Sequence, residues 1–201
     1  MDQFGLFGNS EYEVVVDQDG ECLYYPNFFE EDFFSELKEE INWRQDQITL
    51  FGKTHDIPRL HAWYNDEGDS YEYSKVTLPV NEFTSSLKII RSIIETKLGI
   101  YFNSCLCNLY RHGRDYAAIH SDDEPELGKN PVIASASFGV TRKLTLKHKT
   151  NKGIEKKVIE LEDKSLLLMR GSLQHHWKHE LPKSLKVKEE RINLTFRNII
   201  T

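Results

Sequence analysis

The chain has 201 residues, of which 39% are hydrophobic and 11% aromatic, so it is long enough to bury a core without a disulfide scaffold. No run approaches the roughly 18 apolar residues of a membrane span, and the N-terminus lacks the basic start and apolar stretch of a signal peptide. The formal net charge of −6 argues, taken globally, against a nucleic-acid partner. We therefore expect one globular, monomeric domain without a membrane partner, cytoplasmic in a prokaryote or nuclear in a eukaryote.

Three cysteines point to a reducing compartment. Cys22, Cys105 and Cys107 form an odd set with no repeated spacing, which favours free thiols. The spacing of Cys105 and Cys107 does not fit a zinc finger, and on a strand both side chains would share one face and simply pack.

The first quarter of the chain predicts a flexible start, one strand and a helix. Residues 1–25 read as an N-terminal extension in which Tyr12–Val16 alternates like a strand. The helix is predicted to begin near Asn27, with acidic residues in its first turns. Its apolar stripe would consist of Phe29, Phe33, Leu37 and Ile41.

A second helix is predicted over residues 81–98. Asn81 or Pro79 would mark its start, and Gly99 is well placed just past its C-terminus. Its apolar stripe would consist of Phe83, Leu87, Ile90 and Ile94.

Between the two helices lies a segment rich in aromatic and turn residues. Phe51, beside a glycine, could be a wedge that enters a base stack, or it could end a core strand. Residues 61–78 read as a polar loop containing Trp63, Tyr64, Tyr71 and Tyr73. If the chain is extended there, Tyr71 and Tyr73 share one face and could hold a planar ligand between them, or they could merely pack.

From residue 100 onward the pattern changes to short strands separated by glycines. Two helices followed by a run of strands predict an α+β fold with a jelly-roll double sheet. The predicted strands are Phe102–Tyr110, Val132–Phe138, Lys143–Lys149, Lys157–Leu161, Ser165–Met169, His175–Leu181 and Ile192–Ile199.

A His-x-Asp pair and a distant histidine could together bind iron(II). His120 and Asp122 point the same way from an extended segment, and His179 could reach the same ion from a facing strand. Two histidines and one carboxylate are the usual ligands of oxygen-activating iron(II) enzymes. His-x-Asp alone is common by chance, and His175 and His176 compete with His179 for the third position.

The last predicted strand carries polar residues at every second position. Arg191, Asn193, Thr195 and Arg197 share one face. Burying two arginines is costly unless an anion pairs with them, and a dicarboxylate such as 2-oxoglutarate would supply both charges. The alternative is that this face is simply solvated.

These motifs, in this order, resemble the AlkB family of iron(II)/2-oxoglutarate dioxygenases, which oxidatively dealkylate nucleic-acid bases. The similarity runs from about residue 50 to 200 and is strongest to the animal-type branch that repairs double-stranded DNA. The resemblance also includes four short segments: Asn108–Tyr110, His120–Glu124, Ala134–Gly139 and His176–Pro182.

The resemblance implies a role for each matching residue and a double-stranded β-helix at 100–201, with two supporting helices and a nucleotide-recognition lid at 48–78. Iron would be bound by His120, Asp122 and His179, with O2 as second co-substrate. 2-Oxoglutarate would be bound by Asn108, Tyr110, Arg191, Asn193, Thr195 and Arg197, without assigning either arginine to a particular carboxylate. The substrate set would be Phe51, Gly52, Lys53, Arg59, Tyr71, Glu72, Tyr73, Ser74, Asp123 and Glu124, the first three forming a finger that fills the gap left by a flipped base.

Local basic clusters offset the acidic net charge. Seven basic residues in one segment could contact phosphates, or could form a solvated hairpin: Arg142, Lys143, Lys147, Lys149, Lys152, Lys156 and Lys157. A smaller cluster consists of Lys183, Lys186 and Lys188.

Three functions are compatible with this sequence. The first is repair of alkylated DNA, of the 1-methyladenine and 3-methylcytosine type. The second keeps the dioxygenase chemistry but acts on RNA or on a protein side chain, as the acidic net charge suggests. The third is a non-enzymatic jelly-roll binding module whose histidines are structural.

Overall fold

Two stacked sheets, antiparallel except for one parallel edge strand, form the body of the chain in the computed structural model, which describes residues 11–50, 52–66, 71–73 and 76–200. The large sheet has eight strands, in the spatial order β1 (Glu13–Val16), β2 (Glu21–Tyr25), β14 (Ser165–Arg170), β11 (Ile133–Gly139), β16 (Arg191–Arg197), β9 (Ser104–Tyr110), β5 (Leu60–Asn65) and β8 (Val80–Asn81). The small sheet is ordered β10 (Ala117–His120), β15 (Trp177–Leu181), β12 (Arg142–His148) and β13 (Lys157–Leu161).

Short elements complete this architecture. Two hairpins stand apart from the main sheets: β3 (Gln47–Leu50) with β4 (Lys53–Asp56), and β6 (Tyr71–Tyr73) with β7 (Val76–Leu78). The helices are α1 (Phe34–Glu40), α2 (Ser85–Leu98) and α3 (Leu173–His176), with a 3₁₀ turn at Pro125–Leu127. No helix in the described ranges is long and apolar enough to cross a membrane. The two-sheet arrangement is that of a jelly roll.

The large sheet is covered on both faces, so its central strands contribute to two cores. On one face, Leu194 and Phe196 of β16 pack with Leu37 of α1 and Ile90 of α2. On the other face, apolar residues of both sheets pack together, including Leu144, Leu167, Met169 and Trp177. The polar face of β16 lies in this second layer, between the sheets, and the site forms there.

The first helix is shorter than its apolar repeat suggested. It begins at Phe34, seven residues after the predicted start at Asn27, and Phe33 precedes it without a side-chain cap. Phe29 lies before the helix, where its backbone N–H donates to the carbonyl of Lys164. All four stripe residues are nevertheless buried, because the irregular segment turns its aromatic rings into the same core.

The start of the second helix was also predicted wrongly. Thr84 caps it, its hydroxyl accepting a hydrogen bond from the Leu87 N–H, so Asn81 and Phe83 precede the helix. The predicted end is confirmed. Gly99 adopts φ 66° and donates to the Glu95 carbonyl, a left-handed conformation that glycine reaches without a Cβ clash.

Several strand predictions need correction. Strand β2 was not predicted, since the run Glu21–Tyr25 is too short and mixed to stand out, yet it joins the large sheet beside β14. Trp63 and Tyr64 are buried in β5 of the large sheet, so the prediction of a polar loop there was wrong. The predicted strand at 175–181 is a turn of helix followed by β15.

Candidate metal and co-substrate site

Pairing between two strands brings the distant histidines together. Strands β10 and β15 run antiparallel, and their register places His120 directly opposite His179. The ring centroids lie 4.3 Å apart. Strand pairing therefore brings together two histidines that are far apart in the sequence.

Asp122, two residues past the end of β10, completes the group. Its carboxylate lies 3.5 Å from His120 Nε2 and 3.0 Å from Arg197 Nη2. Burial alone would raise the pKa of this carboxyl group, but the positive charge of Arg197 holds the pKa well below its usual range. Asp122 is therefore a carboxylate at neutral pH, although it is only 1% exposed.

Both imidazoles can present an electron pair to a metal. His120 Nδ1 lies 2.7 Å from the Ala118 carbonyl, which must accept its proton and so leaves Nε2 unprotonated in the neutral ring. Burial lowers the pKa of His179 to about 4, and the neighbouring His120 contributes in the same direction. His179 is therefore neutral at pH 7, the state in which imidazole binds metals.

The donor set fits iron(II). Ligand atoms of His120, Asp122 and His179 lie within 4.8 Å of one another, and the described part of the chain contains no other such group. Two imidazoles and one carboxylate on one side of a cavity are typical of non-haem iron(II) oxygenases. The competing histidines lie elsewhere: His175 hydrogen-bonds to the Lys129 carbonyl, and His176 is exposed and stacks beside His148.

Beside this group, the polar face of β16 lines a cavity between the sheets. About 550 Å³ of space in and at the mouth of this cavity is free of protein atoms, part of it open to solvent. All four alternating residues line it and all are buried, so the alternative of a solvated face is wrong: Arg191, Asn193, Thr195 and Arg197.

Arg191 is a buried cation without a carboxylate partner among the described residues. Its Nη2 donates to Ser137 Oγ at 2.9 Å, its guanidinium carbon lies 5.5 Å from the centre of the Tyr110 ring, and its Nε has no hydrogen-bond partner. Burial lowers its pKa to about 10, so it is still charged at pH 7. Such a group strongly favours an anionic ligand in the cavity.

Neighbouring polar residues give the cavity a fixed shape. Asn193 Nδ2 donates to Ser135 Oγ and to the Ala136 carbonyl, while its Oδ1 accepts from Thr195 Oγ1 at 3.2 Å. Tyr110 and Asn108, which face Arg191 and Asn193 across the β9–β16 pairing, also line the cavity. All six residues predicted to bind 2-oxoglutarate therefore meet in one place.

Arg59 lies between this cavity and the surface. It is 6% exposed, and its Nε donates to Asn108 Oδ1 at 2.7 Å while its Nη1 donates to the Tyr116 carbonyl. It lines the inner cavity and also an outer cleft. Arg59, which was predicted to bind the substrate, therefore also contacts Asn108, which was predicted to bind 2-oxoglutarate.

The outer cleft borders the metal group at His120. It contains about 1340 Å³ of space free of protein atoms, part of it open solvent, and it shares His120 with the inner cavity. Both Asp123 and Glu124 line it. Its walls also include Ile57, Pro58, Tyr116 and Ile119. A flat ligand entering here would lie next to the metal ligands.

Other predicted substrate residues belong to the two separate hairpins. Gly52 (φ 76°) and Lys53 are exposed at the turn of β3–β4, while Phe51 lies outside the described residues. The backbone at Tyr71–Tyr73, which includes Glu72, is extended and pairs with β7, as a pair of tyrosines on one face requires. Ser74 also lies outside the described residues.

The predicted basic surface is less positive than its composition suggested. Arg142 is 2% exposed and donates to the carbonyls of Asp115 and Pro182, so it is a structural residue and its assignment to that surface was wrong. Lys143 and Lys147 pair with carboxylates on neighbouring strands, Glu160 and Glu180. The exposed lysines left in the segment are Lys152, Lys156 and Lys157.

One site residue was missed by sequence reasoning. Gln174 is 1% exposed, and its Oε1 accepts a hydrogen bond from the Asp122 backbone N–H at 3.0 Å. A single glutamine in a short turn of helix carries no pattern that would single it out.

Comparison with known proteins agrees with this geometry. The family model described as "2OG-Fe(II) oxygenase superfamily" matches residues 21–197. Over 203 residues the chain is 38% identical to alpha-ketoglutarate-dependent dioxygenase alkB homolog 3 of Homo sapiens, covering 94% of this chain and 70% of that protein. It is 36% identical to DNA oxidative demethylase ALKBH2 of Bos taurus, covering 85% of this chain and 64% of that protein.

More distant relatives show the same relationship. The chain is 34% identical to DNA oxidative demethylase ALKBH2 of Arabidopsis thaliana, covering 84% of this chain and 62% of that protein. The solved structure of OsALKBH1 superimposes with a TM-score of 0.65 over 92% of this chain and 100% of that chain. At 14% identity, that likeness concerns the fold alone.

Proposed function

Because this chain belongs to the AlkB family of 2-oxoglutarate- and iron(II)-dependent dioxygenases, we propose that it removes alkyl groups oxidatively from base nitrogens in DNA, as in 1-methyladenine and 3-methylcytosine. The observation that carries the proposal is the position of His120. It lines both an inner cavity that carries two buried arginines and an outer cleft that opens to solvent.

The inner cavity would hold both metal and co-substrate. His120, Asp122 and His179 would bind iron(II), which together with 2-oxoglutarate and O2 supplies the oxidising power to hydroxylate the alkyl carbon, after which formaldehyde is lost. The protein binds these groups, orients them and keeps bulk water away. Apolar residues of both sheets also line the cavity, among them Leu144, Leu161 and Leu167.

Charge pairing orients the co-substrate. Arg197 already pairs with Asp122 beside the metal ligands, whereas Arg191 has no carboxylate partner in the described part of the chain. The two arginines stand at opposite ends of β16. 2-Oxoglutarate would therefore place its remote carboxylate on Arg191 and its keto-acid end towards Arg197 and the metal.

The outer cleft would receive the target base. Asp123 and Glu124 offer carboxylates to the edge of the base, and the aromatic ring of Tyr116 lies in the wall. A methylated base that pairs poorly costs less to extrude from a duplex, which favours damaged over normal bases. Hairpins β3–β4 and β6–β7 would form the lid that contacts the flanking nucleic acid.

The finger assignment makes a testable prediction about Phe51. Replacing Phe51 with alanine should reduce demethylation of a duplex substrate by roughly tenfold or more, because losing one stacked aromatic costs about 1–3 kcal/mol. Activity on a single strand should change little, since a single strand has no base-pair gap to fill. Initial rates of formaldehyde release from matched duplex and single-stranded oligonucleotides would measure this, with Phe4→Ala as a control remote in sequence. An equal loss on both substrates would contradict the finger role.

A substrate panel tests the function itself. The wild-type protein, supplied with iron(II), 2-oxoglutarate and O2, should release formaldehyde from a 1-methyladenine oligonucleotide, and succinate should form in equal amount. DNA should be turned over faster than RNA of the same sequence. Faster turnover of RNA would support the alternative substrate that the acidic net charge suggests. No turnover of any methylated oligonucleotide would refute the proposal.

A further inference from the structure

The structure also points to a residue that controls the metal centre without binding the metal. We infer that Gln174 is a positioning residue, which holds the Asp122 segment in place for metal binding through a buried hydrogen bond. The inference rests on the proposed iron site, and it concerns how tightly that site binds a divalent ion.

The Asp122 backbone N–H needs a partner that the sheet does not supply. Strand β10 ends at His120, so Asp122 lies beyond the strand ladder, yet the residue is 1% exposed. A buried N–H without a partner is costly. Gln174 Oε1 accepts this hydrogen bond at 3.0 Å and so fixes the backbone that carries the carboxylate.

The orientation of the Gln174 amide is itself determined by its surroundings. Its Nε2 points at Met169 Sδ, 3.6 Å away, and the side chain is almost completely buried. Only the amide oxygen can accept a hydrogen bond, so the opposite orientation would set the NH2 group against the Asp122 N–H. The acceptor is therefore fixed in direction before any metal arrives.

The segment that carries Gln174 also leads to the third metal ligand. Helix α3 continues directly into β15, which contains His179. Two further contacts join the same segments: Ser121 Oγ donates to the Trp177 carbonyl at 2.9 Å, and Lys149 Nζ lies between the Gln174 carbonyl and Asp123 Oδ2. Three consecutive residues, 121–123, are thus tied to the part of the chain that positions His179.

This arrangement makes the metal ligands converge before the metal binds. If Asp122 were free to move, part of the binding energy would be spent on ordering its loop. Groups that orient metal ligands typically change metal affinity or activity by about 10–100-fold when they are removed. The hydrogen bond from Gln174 therefore belongs to the metal site, although its atoms do not touch the metal.

The test is a titration of the purified full chain with Mn(II), followed by electron paramagnetic resonance, which needs no turnover. Gln174→Met keeps the size of the side chain but replaces the amide oxygen with a thioether, a much weaker acceptor, and it should raise the Mn(II) dissociation constant about 10–100-fold. Gln174→Glu keeps a carbonyl oxygen at the same place and should return the constant to within about threefold of wild type, since the acceptor is what orients the ligand.

A matched control separates this role from general stability. Ser165 is fully buried and donates to the Glu162 carbonyl at a turn away from both cavities, so Ser165→Ala also removes one buried hydrogen bond. It should lower the melting temperature and leave Mn(II) binding unchanged. If Gln174→Met binds Mn(II) as tightly as the wild type does, the inference about Gln174 is overturned while the proposed metal site still stands. If the wild type itself binds no Mn(II), the metal site and the inference both fail.

Discussion

Replacement of Asp122 by alanine is expected to abolish demethylation and to weaken divalent-metal binding by more than about 100-fold, beyond the usual effect of residues that only orient a ligand. The variant loses the single carboxylate of the donor set, and it also removes the carboxylate that pairs with the guanidinium of Arg197. Both consequences act in the same direction. Formaldehyde release and a Mn(II) titration would measure them separately.

Asp115 provides the matched control for that substitution. It is also buried, at 3% exposure, and it also pairs with an arginine, since Arg111 Nε donates to it at 2.8 Å. Asp115→Asn should lower stability without changing Mn(II) affinity by more than a few-fold. Equal losses of metal affinity in Asp115→Asn and Asp122→Ala would mean that Asp122 acts through the fold and is not a ligand.

Replacement of Arg191 by methionine is expected to remove 2-oxoglutarate binding almost completely while leaving the co-substrate-free protein folded. Breaking a buried ion pair by removing one partner costs about 3–5 kcal/mol, which corresponds to a loss of at least about 100-fold in co-substrate affinity. Without ligand, Arg191 has no carboxylate partner among the described residues, so an apolar side chain there should not destabilise the protein. Thermal denaturation with and without 2-oxoglutarate would show both effects.

Arg142 is the appropriate comparison, because it is buried to a similar extent and its guanidinium carbon also lies near the Tyr110 ring, 5.8 Å from the ring centre. It donates to backbone carbonyls, so Arg142→Met should lower the melting temperature and keep the stabilisation by 2-oxoglutarate. The reverse pattern, in which Arg191→Met lowers stability and still responds to 2-oxoglutarate, would assign the remote carboxylate to another residue.

Several residues that meet between the sheets could be grouped from the sequence because their spacing forms a local pattern. His120 and Asp122 are two residues apart, and the polar residues of β16 alternate with apolar ones, so the face they share follows from strand geometry alone. What the sequence left open was which histidine faces His120. That choice depends on the register of β10 and β15, a property of two paired strands and not of either one.

Element boundaries and charged surfaces were predicted less well. The phenylalanines before α1 repeat with helical spacing, yet they lie in an irregular segment that buries the same rings. The repeat therefore predicted correctly which residues are buried but not their secondary structure. From the sequence, Arg142 was assigned to a basic surface because it lies among lysines. Its position on β12 instead buries its side chain. Gln174 had no sequence signal at all, because its role comes from one contact with a residue 52 positions away.

The proposed site is tested most directly by a crystal structure of the protein grown without oxygen in the presence of iron(II) and 2-oxoglutarate, with anomalous data at the iron edge. The site should show one iron peak bound by His120, Asp122 and His179, with a carboxylate of 2-oxoglutarate on Arg191. An iron peak away from these three side chains, or a co-substrate that leaves Arg191 without a carboxylate, would contradict it.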